Sequence, residues 1–154
     1  MVYTAADREI MTRIFTKFRK GRIRGIIREG TARTYNLQFG EFGLFALEKG
    51  KLTKEQLEEG RRVISRELNK SGKMWIRTYP DIPVTSKPIG TRMGKGKGAI
   101  SHYVARVREG MFIYEITGVE PRIAKQALVK AEKKLPIKAK VFKRPIVLKP
   151  TEYE

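Results

Sequence analysis

Apolar residues in this chain change their spacing several times, and each change predicts a different element. From Leu52 to Gly72 they recur at helical intervals. Leu57, Ile64 and Leu68 fall on one face with Val63 at its margin, which predicts an amphipathic helix. Thr53 followed by Gln56 has the form of a capping box, Glu55 lies in the first turn where the helix dipole favours acids, and Asn69, Ser71 and Gly72 signal the stop. A second helix is predicted over EPRIAKQALVKAEKKL, with Pro121 at its first position, a stripe of Ile123, Ala124, Ala127, Leu128, Ala131 and Leu135, and Pro136 as its stop.

Elsewhere the period falls to two. Met74, Trp75 and Ile76 open an apolar strand. SHYVARVR alternates from Ser101 to Arg108, Glu109 and Gly110 make a tight turn, and MFIYEIT resumes the extended pattern, so the pair reads as a β-hairpin. IKAKVFKRPIVLKP reads as a last strand whose later part, at Pro145, sits at a sheet edge. LQFGEFGLFAL, from Leu37 to Leu47, is either a glycine-kinked strand or a buried turn, with Phe39, Phe42 and Phe45 assigned to the core and Gly40 and Gly43 to close packing. At 154 residues the chain makes one domain by length, with a single core.

Charge changes the picture. Thirty-four Lys and Arg against 16 Asp and Glu leave +18, far more than solubility needs, and direct attention to a polyanion. The cations concentrate in residues 8–33, 61–97 and 120–149, while 41–59 is net acidic. In the stretch 13–33, Arg and Lys interleave with Phe15 and Phe18 and with helix-breaking glycines. That composition suits an arm that orders on its partner, phosphate pairing and base stacking together; an exposed tail without a role is the plainer alternative. On the first helix Arg62, Arg66 and Lys70 form a basic ridge spaced to track phosphates, or simply a solvated face.

The stretch from Lys73 to Gly98 concentrates these features. Pro80, Pro83 and Pro88 hold the backbone near extended geometry, and Gly94, Gly96 and Gly98 alternate with Lys95 and Lys97 beside Arg92. This is not a nucleotide loop. G-T-R-M-G-K-G-K-G has the wrong spacing for a Walker motif, lacks the magnesium-binding Ser or Thr, and leads into a strand rather than a helix. Alternating glycine and lysine instead offers close backbone approach and charge to an RNA backbone, against the alternative of a mobile tip.

Catalysis has little to work with. There is no cysteine, and His102, the only histidine, falls mid-strand beside aromatics, which predicts a packed rather than a catalytic side chain; no catalytic residue, metal site or cofactor is expected. No run approaches the roughly 18 apolar residues a membrane span needs, so a soluble chain is expected, and Asp7 and Glu9 are unlike an acid-poor transit peptide.

Six blocks together resemble one family: TKFRK (16–20), GRIRG (21–25), FGEFGL (39–44), GKMWIRTYPDIPVT (72–85), KPIGTRMGKGKG (87–98) and KLPIK (134–138). They are similar, in order, to the large-subunit ribosomal protein of the bacterial L-sixteen type. The resemblance implies an α+β fold of hammerhead type, a mixed sheet with two main helices, preceded by a basic extended N-terminal arm and carrying a Gly/Lys-rich loop. It implies no enzymatic activity. The expected partners are large-subunit rRNA, tRNA in the aminoacyl site near the peptidyl-transferase centre and neighbouring ribosomal proteins, with no membrane.

Lys17, Arg19, Lys20, Arg22, Arg24, Arg61, Arg62, Arg66 and Arg77 are the expected rRNA contacts. The tRNA-side loop is Arg92, Met93, Gly94, Lys95, Gly96, Lys97 and Gly98, of which Arg92 matches a position hydroxylated in some relatives. The expected division is an extension and arm at 1–33, the ribosomal domain at 34–141 and a C-terminal extension at 142–154. Residues 26–38 depart from the family's usual arm, and His102 and Tyr103 stand where it has an aromatic pair. The implied compartment is a ribosome, of the bacterial cytoplasm or of an organelle (mitochondrial matrix or plastid stroma). The rival readings are an enzyme acting on RNA or nucleotides through the glycine-rich loop, and a polybasic domain on a membrane surface.

Overall fold

The computed structural model describes residues 36–69, 71–94 and 96–144. In chain order the elements are β1 (Phe42–Ala46), β2 (Gly50–Thr53), α1 (Lys54–Glu67), β3 (Lys73–Ile76), β4 (Ile82–Ser86), β5 (Ala99–Val107), β6 (Phe112–Thr117), α2 (Pro121–Glu132) and β7 (Ala139–Lys143). The fold is α+β. Where a mixed sheet was expected, the described strands form two sheets paired antiparallel throughout, a four-stranded one in the order β3-β6-β1-β7 and a three-stranded one in the order β2-β5-β4.

This arrangement corrects the expected hairpin between Ser101–Arg108 and Met111–Thr117. β5 and β6 are consecutive but do not pair; they belong to different sheets. The turn between them closes with Met111 N–H donating to Arg108 O, and Gly110, at φ 76°, donates to Ala46 O, so the chain passes from one sheet to the other. The physical reason is burial. Phe112 to Ile116 are buried on both faces, which suits a central strand, and β6 accordingly takes β1 and β3 as neighbours.

Helix α1 begins as its sequence dictates. Thr53 Oγ1 accepts from Gln56 N–H at 3.3 Å, and Gln56 Oε1 accepts from Thr53 N–H at 2.9 Å. Leu57, Ile64 and Leu68 are buried, with Gly60 completing the inward face. α2 starts at Pro121 and buries Ala124, Ala127, Leu128 and Ala131, but stops at Glu132, four residues before Pro136. Lys134 N–H reaches Ala131 O and Leu135 N–H reaches Glu132 O, a tightened final turn that swings Leu135 against the core. The small residues of α2 let it lie close to α1 and against β1 and β7, while α1 packs on β2 and β5. One apolar cluster joins both helices to both sheets.

Gly40 and Gly43 do serve packing. A Cβ on Gly40 would stand 2.8 Å from both Ile116 N and Ile116 O, and one on Gly43 would overlap Leu37 and Phe112. The three phenylalanines divide. Phe42 is buried and Phe45 half-buried in edge contacts with Phe112 and Phe142, but Phe39, expected in the core, is 55% exposed. His102 is half-buried on β5. Pro83 lies within β4, the edge strand of its sheet, where a missing N–H costs least.

Candidate nucleic-acid interface

The Gly/Lys-rich segment connects β4 to β5, which do pair as a hairpin, with a register shift between Val84 and Thr85 near the loop base. Lys87 to Gly94, Gly96 and Lys97 are exposed, and Ile89 and Met93 are almost fully so. Gly90, Gly94 and Gly96 hold φ of 84°, 101° and 78°, in the left-handed region that side chains other than glycine rarely enter, and nothing lies within 4 Å of where their Cβ atoms would be. Gly98 is different. It closes the base of the loop, where a Cβ would collide with the Ser86 carbonyl. Lys87 ties base to tip by donating from Nζ to Gly94 O at 2.7 Å, and Thr91 N–H donates to Pro88 O at 3.2 Å. The loop thus presents Arg92 and Lys97 on a backbone that another surface can approach closely. Lys95 lies outside the described residues.

The arginines of α1 are not equivalent. Arg61 donates to both carboxylate oxygens of Glu58, at 2.8 and 2.6 Å, and this bond holds the Glu58 carboxyl below its ordinary pKa against the opposing effect of burial. Arg62 reaches Glu58 and Glu59 at 3.3 and 2.9 Å from a more exposed position, and Arg66 is exposed. The acids of the first turns therefore neutralise part of the predicted ridge; Lys70 lies outside the described residues. Across β2 and β5, Lys51 stands opposite Arg106, both exposed.

Arg77 is built inward. It donates to Glu115, which is fully buried in the middle of β6, and its guanidinium lies 5.3 Å from the ring centroid of Phe39. The same carboxylate accepts from three successive backbone N–H groups, those of Gln38 (3.3 Å), Phe39 (2.7 Å) and Gly40 (2.8 Å). Burial would raise the pKa of Glu115, but the N–H groups of Gly40, Phe39 and Gln38, with the Arg77 charge, outweigh it and hold it below the ordinary value. Sequence reasoning missed this carboxylate. Its signal was an acid inside the apolar run FIYEIT, a position tolerable only with partners.

Among the described residues no cluster of three His, Asp or Glu could hold a metal ion, and no helix is long and apolar enough to cross a membrane. Lys17, Arg19, Lys20, Arg22 and Arg24 lie outside the described residues.

Comparison with known proteins decides the family. The model described as ribosomal protein L16p/L10e matches residues 14–142. The chain belongs to the ribosomal protein L16p/L10e family. Among its relatives, large ribosomal subunit protein uL16 of Hyphomonas neptunium is 52% identical over 132 residues, covering 84% of this chain and 93% of the relative. The uL16 of Azorhizobium caulinodans is 48% identical over the same length and coverage. That of Francisella tularensis subsp. novicida is 43% identical over 135 residues, 86% of this chain and 96% of the relative. L16p/L10e proteins are structural components of the ribosome and not enzymes, and the relatives named are bacterial; the chain is a ribosomal protein.

Proposed function

We propose that the chain is a structural constituent of the large ribosomal subunit that binds large-subunit rRNA and, through Arg92 to Gly98, helps shape the aminoacyl-tRNA site. The observation that carries this reading is the β4–β5 loop. Arg92 and Lys97 are exposed beside the open Gly90, Gly94 and Gly96, on a loop braced by Lys87 and pinched at Gly98, in a chain of net charge +18. Arg92, Lys95 and Lys97 face tRNA in this reading, while Lys17, Arg19, Lys20, Arg22 and Arg24 of the arm take rRNA phosphates. Arg62 and Arg66 extend the rRNA surface along α1. Arg61 and Arg77, bonded to Glu58 and Glu115, contribute least to it.

Filter binding of the purified chain to large-subunit rRNA over a salt series tests the reading. Affinity should fall by roughly 0.7–0.9 log units per log unit of salt for each phosphate neutralised, so that several contacts give a steep line. Affinity independent of salt would refute the proposal.

A further inference from the structure

We propose that Phe39 and Trp75, with Arg77 bracing them, form a stacking platform for an unpaired nucleobase of RNA. The proposal rests on the RNA-binding reading above and adds which side chains would take a base.

The platform lies on the outer face of the four-stranded sheet. Register places Gly43, Glu115 and Trp75 in one row across β1, β6 and β3, on the face away from the helices, and the segment 37–40 lies over that row. Phe39 and Trp75 are stacked, with ring centroids 5.7 Å apart and planes 25° from parallel. Both stay open to solvent, Phe39 at 55% exposure and Trp75 half-buried. An exposed pair of this size is costly in water unless something covers it.

The pair is also fixed in place. Glu115 holds the Phe39 backbone N–H, and the same carboxylate holds Arg77 beside the Phe39 ring, on which Trp75 stacks. Preorganised aromatic surface of this kind suits stacking, because little freedom is lost when a base lands.

The surrounding charge selects the occupant. Lys73 is exposed on the same side of β3 as Trp75, and Arg144, also exposed, donates to Leu37 O beside the platform. Glu41, the exposed acid nearby, accepts from Thr117 Oγ1 at 3.0 Å. A π surface flanked by cations fits a nucleobase and its phosphates together, whereas an apolar protein anchor would gain nothing from the cations. Duplex RNA keeps its base faces stacked internally, so the platform requires an unpaired or extruded base.

Trp75 is the only tryptophan in the chain and reports on the site directly. The full chain is titrated at fixed salt with a short single-stranded oligoadenylate and with a blunt A-form RNA duplex of equal phosphate number, following Trp75 emission and affinity. The single strand should quench Trp75 saturably and the duplex should not. Phe39→Leu, which keeps apolar volume against Trp75, and Phe39→Ala should each weaken single-strand binding about 5- to 100-fold, leave duplex binding unchanged, and melt near the wild-type temperature; Phe39→Tyr should bind as wild type. Equal quenching by duplex, or wild-type single-strand affinity in both Phe39→Leu and Phe39→Ala, overturns the platform. A wild-type chain that binds neither RNA overturns the RNA-binding reading itself. A photo-crosslinker at position 39 in assembled subunits should join to rRNA, and a crosslink to protein instead would also overturn the platform.

Discussion

Glu115→Ala is expected to lower folding stability by about 3–5 kcal/mol, a large share of the roughly 5–15 kcal/mol that holds a domain of this size together. The loss does not measure the attraction within the ion pair. It arises because the substitution strands Arg77, only 17% exposed, together with the backbone N–H groups of Gln38, Phe39 and Gly40, which have the Glu115 carboxylate as their acceptor. Urea unfolding followed by circular dichroism measures it.

The pH dependence has a definite sign. The folded-state pKa of Glu115 lies below its ordinary value, so its contribution is full above the ordinary carboxylate range and disappears as pH falls through and below it. The difference in stability between wild type and Glu115→Gln should therefore be widest near neutral pH and shrink steadily in acid. A constant difference down to the lowest pH at which both fold would contradict the assignment.

Gly60→Ala sets two effects against each other. Gly60 is interior to α1, and helix propensity alone predicts that alanine stabilises by about 1 kcal/mol. A Cβ there, however, would overlap the Tyr114 hydroxyl and stand 3.0 Å from Tyr114 Cζ. Tyr114 has nowhere to go: it is fully buried, its hydroxyl donates to Leu57 O at 2.8 Å, and burial pushes its pKa well above the ordinary tyrosine value. Overpacking costs about 1–3 kcal/mol and an orphaned buried hydroxyl a similar amount, so the expected net is destabilisation by about 2 kcal/mol, read as a lower urea midpoint. A higher midpoint would mean that the helix and β6 can separate at little cost.

What the sequence made legible was local. The Thr53–Gln56 box, Pro121 at the start of α2, the apolar faces of both helices and the exposed glycine-lysine loop all follow from residues a few positions apart, where propensity and periodicity act. Partner choice was not legible. Alternation in SHYVARVR states which side chains point the same way but not which strand lies alongside, and the turn at Glu109 and Gly110 fits a hairpin as well as the sheet-to-sheet crossing it makes. Phe39 was misplaced for the same reason. Hydropathy sends a phenylalanine inward, but this one is held out by a carboxylate 76 residues away. Arg77 carries no sign in the sequence of its bond to Glu115, 38 residues on. The loop's exposure and charge follow from its glycines and lysines, while its brace from Lys87 to Gly94 depends on a fold-back that no spacing rule encodes.

In the proposed function the β4–β5 loop carries its cations against tRNA. The direct measurement is the equilibrium affinity of aminoacyl-tRNA for ribosomes whose large subunits contain this chain with Arg92, Lys95 and Lys97 all replaced by glutamine, alongside the amount of chain that sediments with those subunits. Arg92 and Lys97 are exposed, so incorporation should be unchanged, while losing charge-assisted contacts to phosphate should weaken tRNA binding at least about tenfold. Unchanged tRNA affinity at equal incorporation would contradict it.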